Sequence, residues 1–141
     1  MIQRIQSLWL LLAAVFAFLT FRLPFYSGNK LTKEGIIQPE VSNLDSGSQI
    51  FLLILASVVI ILSFAALVMY KKRKQQLNLT IVNIIFSIVL VVVYFLEISK
   101  YDKGVLSLSC LFTLAIPVFL FFAARGIWKD EKLIKSLDRL R

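Results

Sequence analysis

The sequence has no histidine and a single cysteine, Cys110. Without histidine there is no imidazole-ligated haem or metal centre, and the commonest general base is missing. One cysteine rules out an intramolecular disulfide and a CxxC redox pair. Acidic residues are scarce too: eight Asp and Glu stand against sixteen Lys and Arg, giving a formal net charge of +8. With only three prolines and five glycines in 141 residues, little interrupts long helices.

What the chain does have is apolar. Of its residues 59% are hydrophobic, and the mean hydropathy is +0.84. The excess is concentrated in four runs, at about 5–24, 49–70, 79–98 and 105–124. Each is close to the ~20 residues that a bilayer-spanning helix needs. Residues 1–124 therefore read as one four-span membrane domain, followed by a charged tail at 125–141. The first run has the charge and length of a signal peptide. Bulky Phe21, Leu23, Phe25 and Tyr26 occupy the cleavage zone, so the run is expected to stay as a signal-anchor. Residues 25–48 are polar and rich in turn formers, and they read as a plain connector; Leu31, Ile36, Ile37 and Val41 leave a short hairpin open. Asn78 is a candidate N-cap for the third span, and 99–104 reads as a tight turn.

Orientation follows from the basic residues. Lys71, Lys72, Arg73 and Lys74 stand between the second and third runs. If this loop and both termini share one side, that side also holds Arg4, Arg125, Lys129, Lys132, Lys135, Arg139 and Arg141, eleven cations in all. The other side holds five: Arg22, Lys30, Lys33, Lys100 and Lys103. Cytoplasmic loops are enriched in Lys and Arg. The expected architecture is thus all-α: an antiparallel four-helix transmembrane bundle of two hairpins, both termini cytoplasmic, with residues 25–48 periplasmic.

Three features carry candidate function. In the third run Asn83, Ser87, Tyr94, Glu97 and Tyr101 fall on one helical stripe, which lipid would drive inward. Glu97 is either a proton or cation site or a rim acid paired with Arg22, Lys100 or Lys103. Gln6, Ala13, Ala17 and Thr20 in the first run, and Ala56, Ser63 and Ala66 in the second, form small-residue packing faces. The tail reads as a basic amphipathic helix, with Ile127, Leu133, Ile134, Leu137 and Leu140 opposite Lys129, Lys132, Lys135 and Arg139, and Arg141 at its end. Such a helix suits anionic lipid or an acidic partner such as ribosomal RNA. Pro117 in the fourth run is a static bend or a hinge.

The opening Met1-Ile2-Gln3-Arg4-Ile5-Gln6-Ser7 and the closing Lys129-Asp130-Glu131-Lys132-Leu133-Ile134-Lys135-Ser136-Leu137-Asp138-Arg139-Leu140-Arg141 resemble the two ends of an uncharacterised four-helix membrane family of Bacteroidota, a domain of unknown function. The resemblance implies a Gram-negative inner-membrane protein and brings no catalytic residues with it.

The expected function is a non-enzymatic accessory or scaffold subunit of a larger inner-membrane complex. It would dock through its basic tail, and a protein-export translocon or a ribosome would suit such a tail. The alternative is a small-solute or proton-coupled transporter using Glu97. Nothing matches the nucleophile, base and orienting group of a catalytic site, and no cofactor, metal or sequence-specific DNA binding is expected.

Overall fold

A computed structural model describes residues 2–31 and 37–138, with the side chains at 2–4, 30, 31, 37–41, 102, 135, 137 and 138 left aside. The order is α1 (Ile2–Leu19), β1 (Tyr26–Leu31), β2 (Ile37–Leu44), α2 (Ile50–Val68), a 3₁₀ turn (Met69–Lys71), α3 (Arg73–Ile98), β3 (Tyr101–Leu106) and α4 (Cys110–Asp138). Each helix packs against two others: α1 on α2 and α4, and α3 on α2 and α4. Consecutive helices run antiparallel, so the four close into a ring.

The segments at Ile50–Lys71, Arg73–Ile98 and Cys110–Ile134 are long and apolar enough to cross a membrane, and Ile5–Leu19 is a shorter apolar helix. The outside of the ring is apolar as well: Ile61, Ile85, Leu96 and Phe121 are all more than half exposed. In water such a surface would be an aggregation liability, whereas in lipid it is the favourable one.

The interior has two apolar centres. One joins Leu10, Ala13, Ala17, Val59, Ala66, Ile116, Leu120, Ala123 and Ile127, all fully buried. Phe16 lies against it, packed on Phe112 and Phe119 with ring centroids 5.1 and 5.2 Å away. The alanines let helix axes approach closely, and the aromatic rings fill the wider gaps. The second centre gathers Phe25, Tyr26, Leu44, Leu52, Leu55, Ala56, Leu90, Tyr94 and Tyr101 beneath the sheet.

That sheet corrects the all-α expectation. Its strand order is β2-β1-β3, with β1 antiparallel to both neighbours. Within 25–48, expected as a plain connector, 26–31 and 37–44 are therefore paired antiparallel strands, and 101–106, expected within a tight turn and the start of the fourth span, are a strand. Pro39 is compatible with this arrangement because β2 is an edge strand, where a missing N–H need not break a ladder. The register sets Gly28 opposite Gly104. A Cβ on Gly28 would collide with the Lys103 carbonyl oxygen, and one on Gly104 would lie 2.5 Å from the Ser27 oxygen. Two glycines are needed because two backbones pass at that point.

Helix boundaries shift too. α3 begins at Arg73, so Asn78 is an exposed interior residue and not an N-cap. The segment Arg73-Lys74-Gln75-Gln76-Leu77 contains good helix formers and no breaker, so the helix extends back into the basic loop. The N-cap of α2 is Gln49, and the Ser48 hydroxyl bonds the Asp45 carbonyl. α4 starts at Cys110 and runs unbroken past residue 124 to Asp138, with Pro117 inside it. The tail is a continuation of the fourth helix as far as it is described. Gly126 does not end it. A Cβ there would stand 2.7 Å from Gln6 Cγ, so this glycine is the notch that lets α1 lie close to α4.

Candidate functional site at the two polar ends of the bundle

At the sheet end, three hydroxyls form a chain. Thr20 donates to the Ala17 carbonyl at 2.7 Å, and Ser46 donates to Thr20 at 2.8 Å. Ser46 and Tyr94 hydroxyls lie 2.6 Å apart. A hydroxyl has one proton, and those of Thr20 and Ser46 are already given away. Tyr94 must therefore donate to Ser46. Phe25 stacks on the Tyr94 ring with centroids 4.4 Å apart, and all three hydroxyl-bearing residues are buried. The chain ties α1, the β2–α2 connection and α3 together without a formal charge.

Lower on α3, the polar stripe faces inward. Gln76, Thr80, Asn83, Ser87 and Tyr94 are buried. Thr80 bonds back to the Gln76 carbonyl at 2.8 Å and Ser87 to the Ile84 carbonyl at 2.7 Å. Asn83 Nδ2 donates to Ser63 Oγ at 2.8 Å, and Ser63 donates to the Val59 carbonyl at 2.8 Å. Asn83 Oδ1 has no hydrogen-bond partner among the described residues. Glu97 stands apart from this line at the rim. It takes Lys100 Nζ at 2.6 Å and a hydrogen bond from Gln49 Nε2.

The opposite end is charged. Asp130, only 5% exposed, accepts from Gln6 Nε2 at 2.7 Å and pairs with Arg73 Nη1 at 3.4 Å, both through Oδ2. The three residues come from α4, α1 and α3. Gly126 lies one turn before Asp130 on α4, and the Gln6 side chain crosses that notch to reach the carboxylate. Lys71, Lys72 and Lys74 of the basic tetrad are exposed, and Arg73 is the member turned into the clasp. Cations at a helix N-terminus oppose its dipole, so the tetrad does not serve the stability of α3; Arg73 recovers part of that cost through Asp130.

On the outer face of α4, Arg125, Trp128, Lys129, Lys132, Leu133 and Ser136 line a groove of about 480 Å³. Lys132 Nζ sits 6.0 Å from the Trp128 ring centroid. Of the expected tail residues, Ile127 is buried in the bundle while Leu133 and Ile134 are exposed. The side chains of Lys135 and Leu137, and Arg139, Leu140 and Arg141 altogether, lie outside the described residues.

A family model described as Domain of unknown function (DUF4293) matches residues 2–140. The chain belongs to this family. No curated protein and no solved structure matches it. Membership in DUF4293 assigns no chemistry, and it takes in every helix and strand above.

In this DUF4293 chain, three of the five expected stripe residues, Asn83, Ser87 and Tyr94, lie on the buried face of α3, whereas Glu97 is at the rim and Tyr101 is on β3, and both end networks went unforeseen. Their partners are far apart in the chain: Gln6 and Asp130 are separated by 124 positions and Ser46 and Tyr94 by 48. The local hints were Gln6 and Thr20, polar residues on the alanine face of the first run, one in each network.

Proposed function

We propose that this DUF4293 protein is a non-enzymatic scaffold or accessory subunit of a larger complex in the inner membrane of a bacterium, as in the Bacteroidota. It has four spans, with both termini cytoplasmic and the sheet on the periplasmic side. Eleven cations against five support that orientation. One observation carries the docking role. The 29 residues of α4 form one unbroken helix. At about 1.5 Å per residue it is some 43 Å long, against ~30 Å of hydrocarbon. Its last turns carry charge out of the bilayer on a rigid rod, and the Gln6–Asp130–Arg73 clasp ties that rod to α1 and α3. The cations at its end and following it in the sequence, Lys135, Arg139 and Arg141, meet an acidic partner such as a protein face or ribosomal RNA, as a protein-export translocon would present.

The transporter alternative has less support. Coupling acids usually lie near mid-membrane. Glu97 is at the rim and already engaged by Lys100 and Gln49.

The test is an affinity pull-down of tagged protein from native membranes in mild detergent. Wild type brings down a large assembly, and Lys135→Glu/Arg139→Glu/Arg141→Glu does not. A monomer or small homo-oligomer from the wild type overturns the reading.

A further inference from the structure

The outer face of α4 changes character abruptly along one stripe. Leu114, Val118, Phe121 and Phe122 are exposed and apolar, and on the same face Arg125, Trp128, Lys129 and Lys132 follow, also exposed. These positions are spaced by three and four residues, so they line up along the helix. The change falls at a definite depth. Rising about 1.5 Å per residue from Cys110, α4 places Arg125 about 22 Å and Lys132 about 33 Å along its axis. Those values bracket the ~30 Å hydrocarbon thickness, at the level where lipid phosphates lie.

We infer that this groove is a discrete binding site for one anionic glycerophospholipid. Its phosphate would be held among Arg125, Lys129 and Lys132, and its acyl chain would lie along Val118, Phe121 and Phe122. Arg125 offers a planar fork that matches two phosphate oxygens, and the two lysines add point charges. Trp128 is 59% exposed and stands among the three cations, about one turn past Arg125 and the end of the apolar stripe. Indole rings favour the membrane–water interface, and this one also carries Lys132 over its face. Charge alone would adsorb the helix onto any anionic surface. The groove, the aromatic anchor and the apolar track beneath it are what define one site. The inference rests on the membrane-spanning reading but uses other residues than partner docking, so either can fail alone.

Trp9 and Trp128 are the two tryptophans in the chain, so Trp9→Phe leaves Trp128 as the only reporter. The full-length variant is reconstituted in phosphatidylcholine vesicles containing either brominated phosphatidylglycerol or brominated phosphatidylcholine, and quenching is compared. The anionic lipid is expected to compete for the Trp128 site at least about fivefold better than the neutral one. Adding Arg125→Gln/Lys129→Gln/Lys132→Gln brings the ratio to about one. The charge-conserving Arg125→Lys/Lys129→Arg/Lys132→Arg keeps most of it, which excludes a folding defect as the cause. A ratio near one before the charges are removed, or a preference that survives their removal, overturns the proposal. So does loss of the preference on adding inorganic phosphate or soluble RNA, which would assign the groove to a soluble anion or to a nucleic acid.

Discussion

The two ends of the bundle solve the same problem with different chemistry. Each must hold three helices together where the apolar core gives way to water. The sheet end uses neutral hydroxyls, Tyr94 to Ser46 to Thr20, under a lid of strands and a stacked Phe25–Tyr94 pair. The basic end has no described strand and uses a carboxylate, Asp130, shared by Gln6 and Arg73. A hydroxyl chain has a proton to give at each step, so it is insensitive to salt and to pH near neutrality. An ion pair with one partner 22% exposed is stronger per contact but is weakened by screening. The neutral end is built to be fixed. The charged end is stable only while its three charged and polar groups stay together.

The sharpest way to break this contrast is at the lid. Gly104→Val puts a branched side chain where a Cβ alone already meets Ser27 O and Tyr26 Cε1 at 2.5 Å. Since β1–β3 pairing cannot persist around it, thermal unfolding in detergent should show a loss of about 3 kcal/mol or more. Amide exchange should rise in β1 and β3 while α4 near Asp130 stays protected. Equal exposure at both ends would mean that the two are one cooperative unit.

The charged end comes next. Asp130→Asn keeps an acceptor for Gln6 but leaves the Arg73 guanidinium without its counter-charge. Because Arg73 reaches some solvent, the cost should be about 1–2 kcal/mol, below the range for breaking a fully buried pair. Raising ionic strength should narrow the gap between variant and wild type in the same melting assay. A gap that does not change with salt would mean that screening does not reach the Arg73–Asp130 pair.

Why some of this could be read from the sequence and some could not is a matter of distance along the chain. The helix number and the inward face of α3 were legible because lipid leaves a polar stripe only one place to go. Asn83, Ser87 and Tyr94 sit at helical spacing in an otherwise apolar run, and all three are buried. The sheet was not legible. β1 is rich in Ser, Gly and Asn, which favour turns locally, and one of its partners, β3, lies beyond two intervening helices. Gly28 and Gly104 were visible, but only pairing gives them meaning. Asp130 looked like a solvated tail charge because its neighbours are charged, and Arg73 looked like one of four equal cations. Only the closed ring of helices, with the Gly126 notch, distinguishes them.

The smallest expected effects test the direction of the hydroxyl chain. If Tyr94 is the donor to Ser46, Tyr94→Phe removes the first link and leaves both remaining protons with acceptors. Ser46 still bonds Thr20, and Thr20 still bonds the Ala17 carbonyl. The loss should be about 0.5–1 kcal/mol, one ordinary net hydrogen bond. Thr20→Val removes the last hydroxyl of the chain, the acceptor for Ser46. Ser46 must then either leave its own proton unpaired or turn it to Tyr94, whose proton loses its acceptor in exchange. Either way a buried donor is orphaned, so this nearly isosteric change should cost more, about 1–2 kcal/mol. Melting of the two variants side by side decides the matter. If Tyr94→Phe is the more damaging, the protons run the other way, and Tyr94 is an acceptor whose own hydrogen has a partner elsewhere.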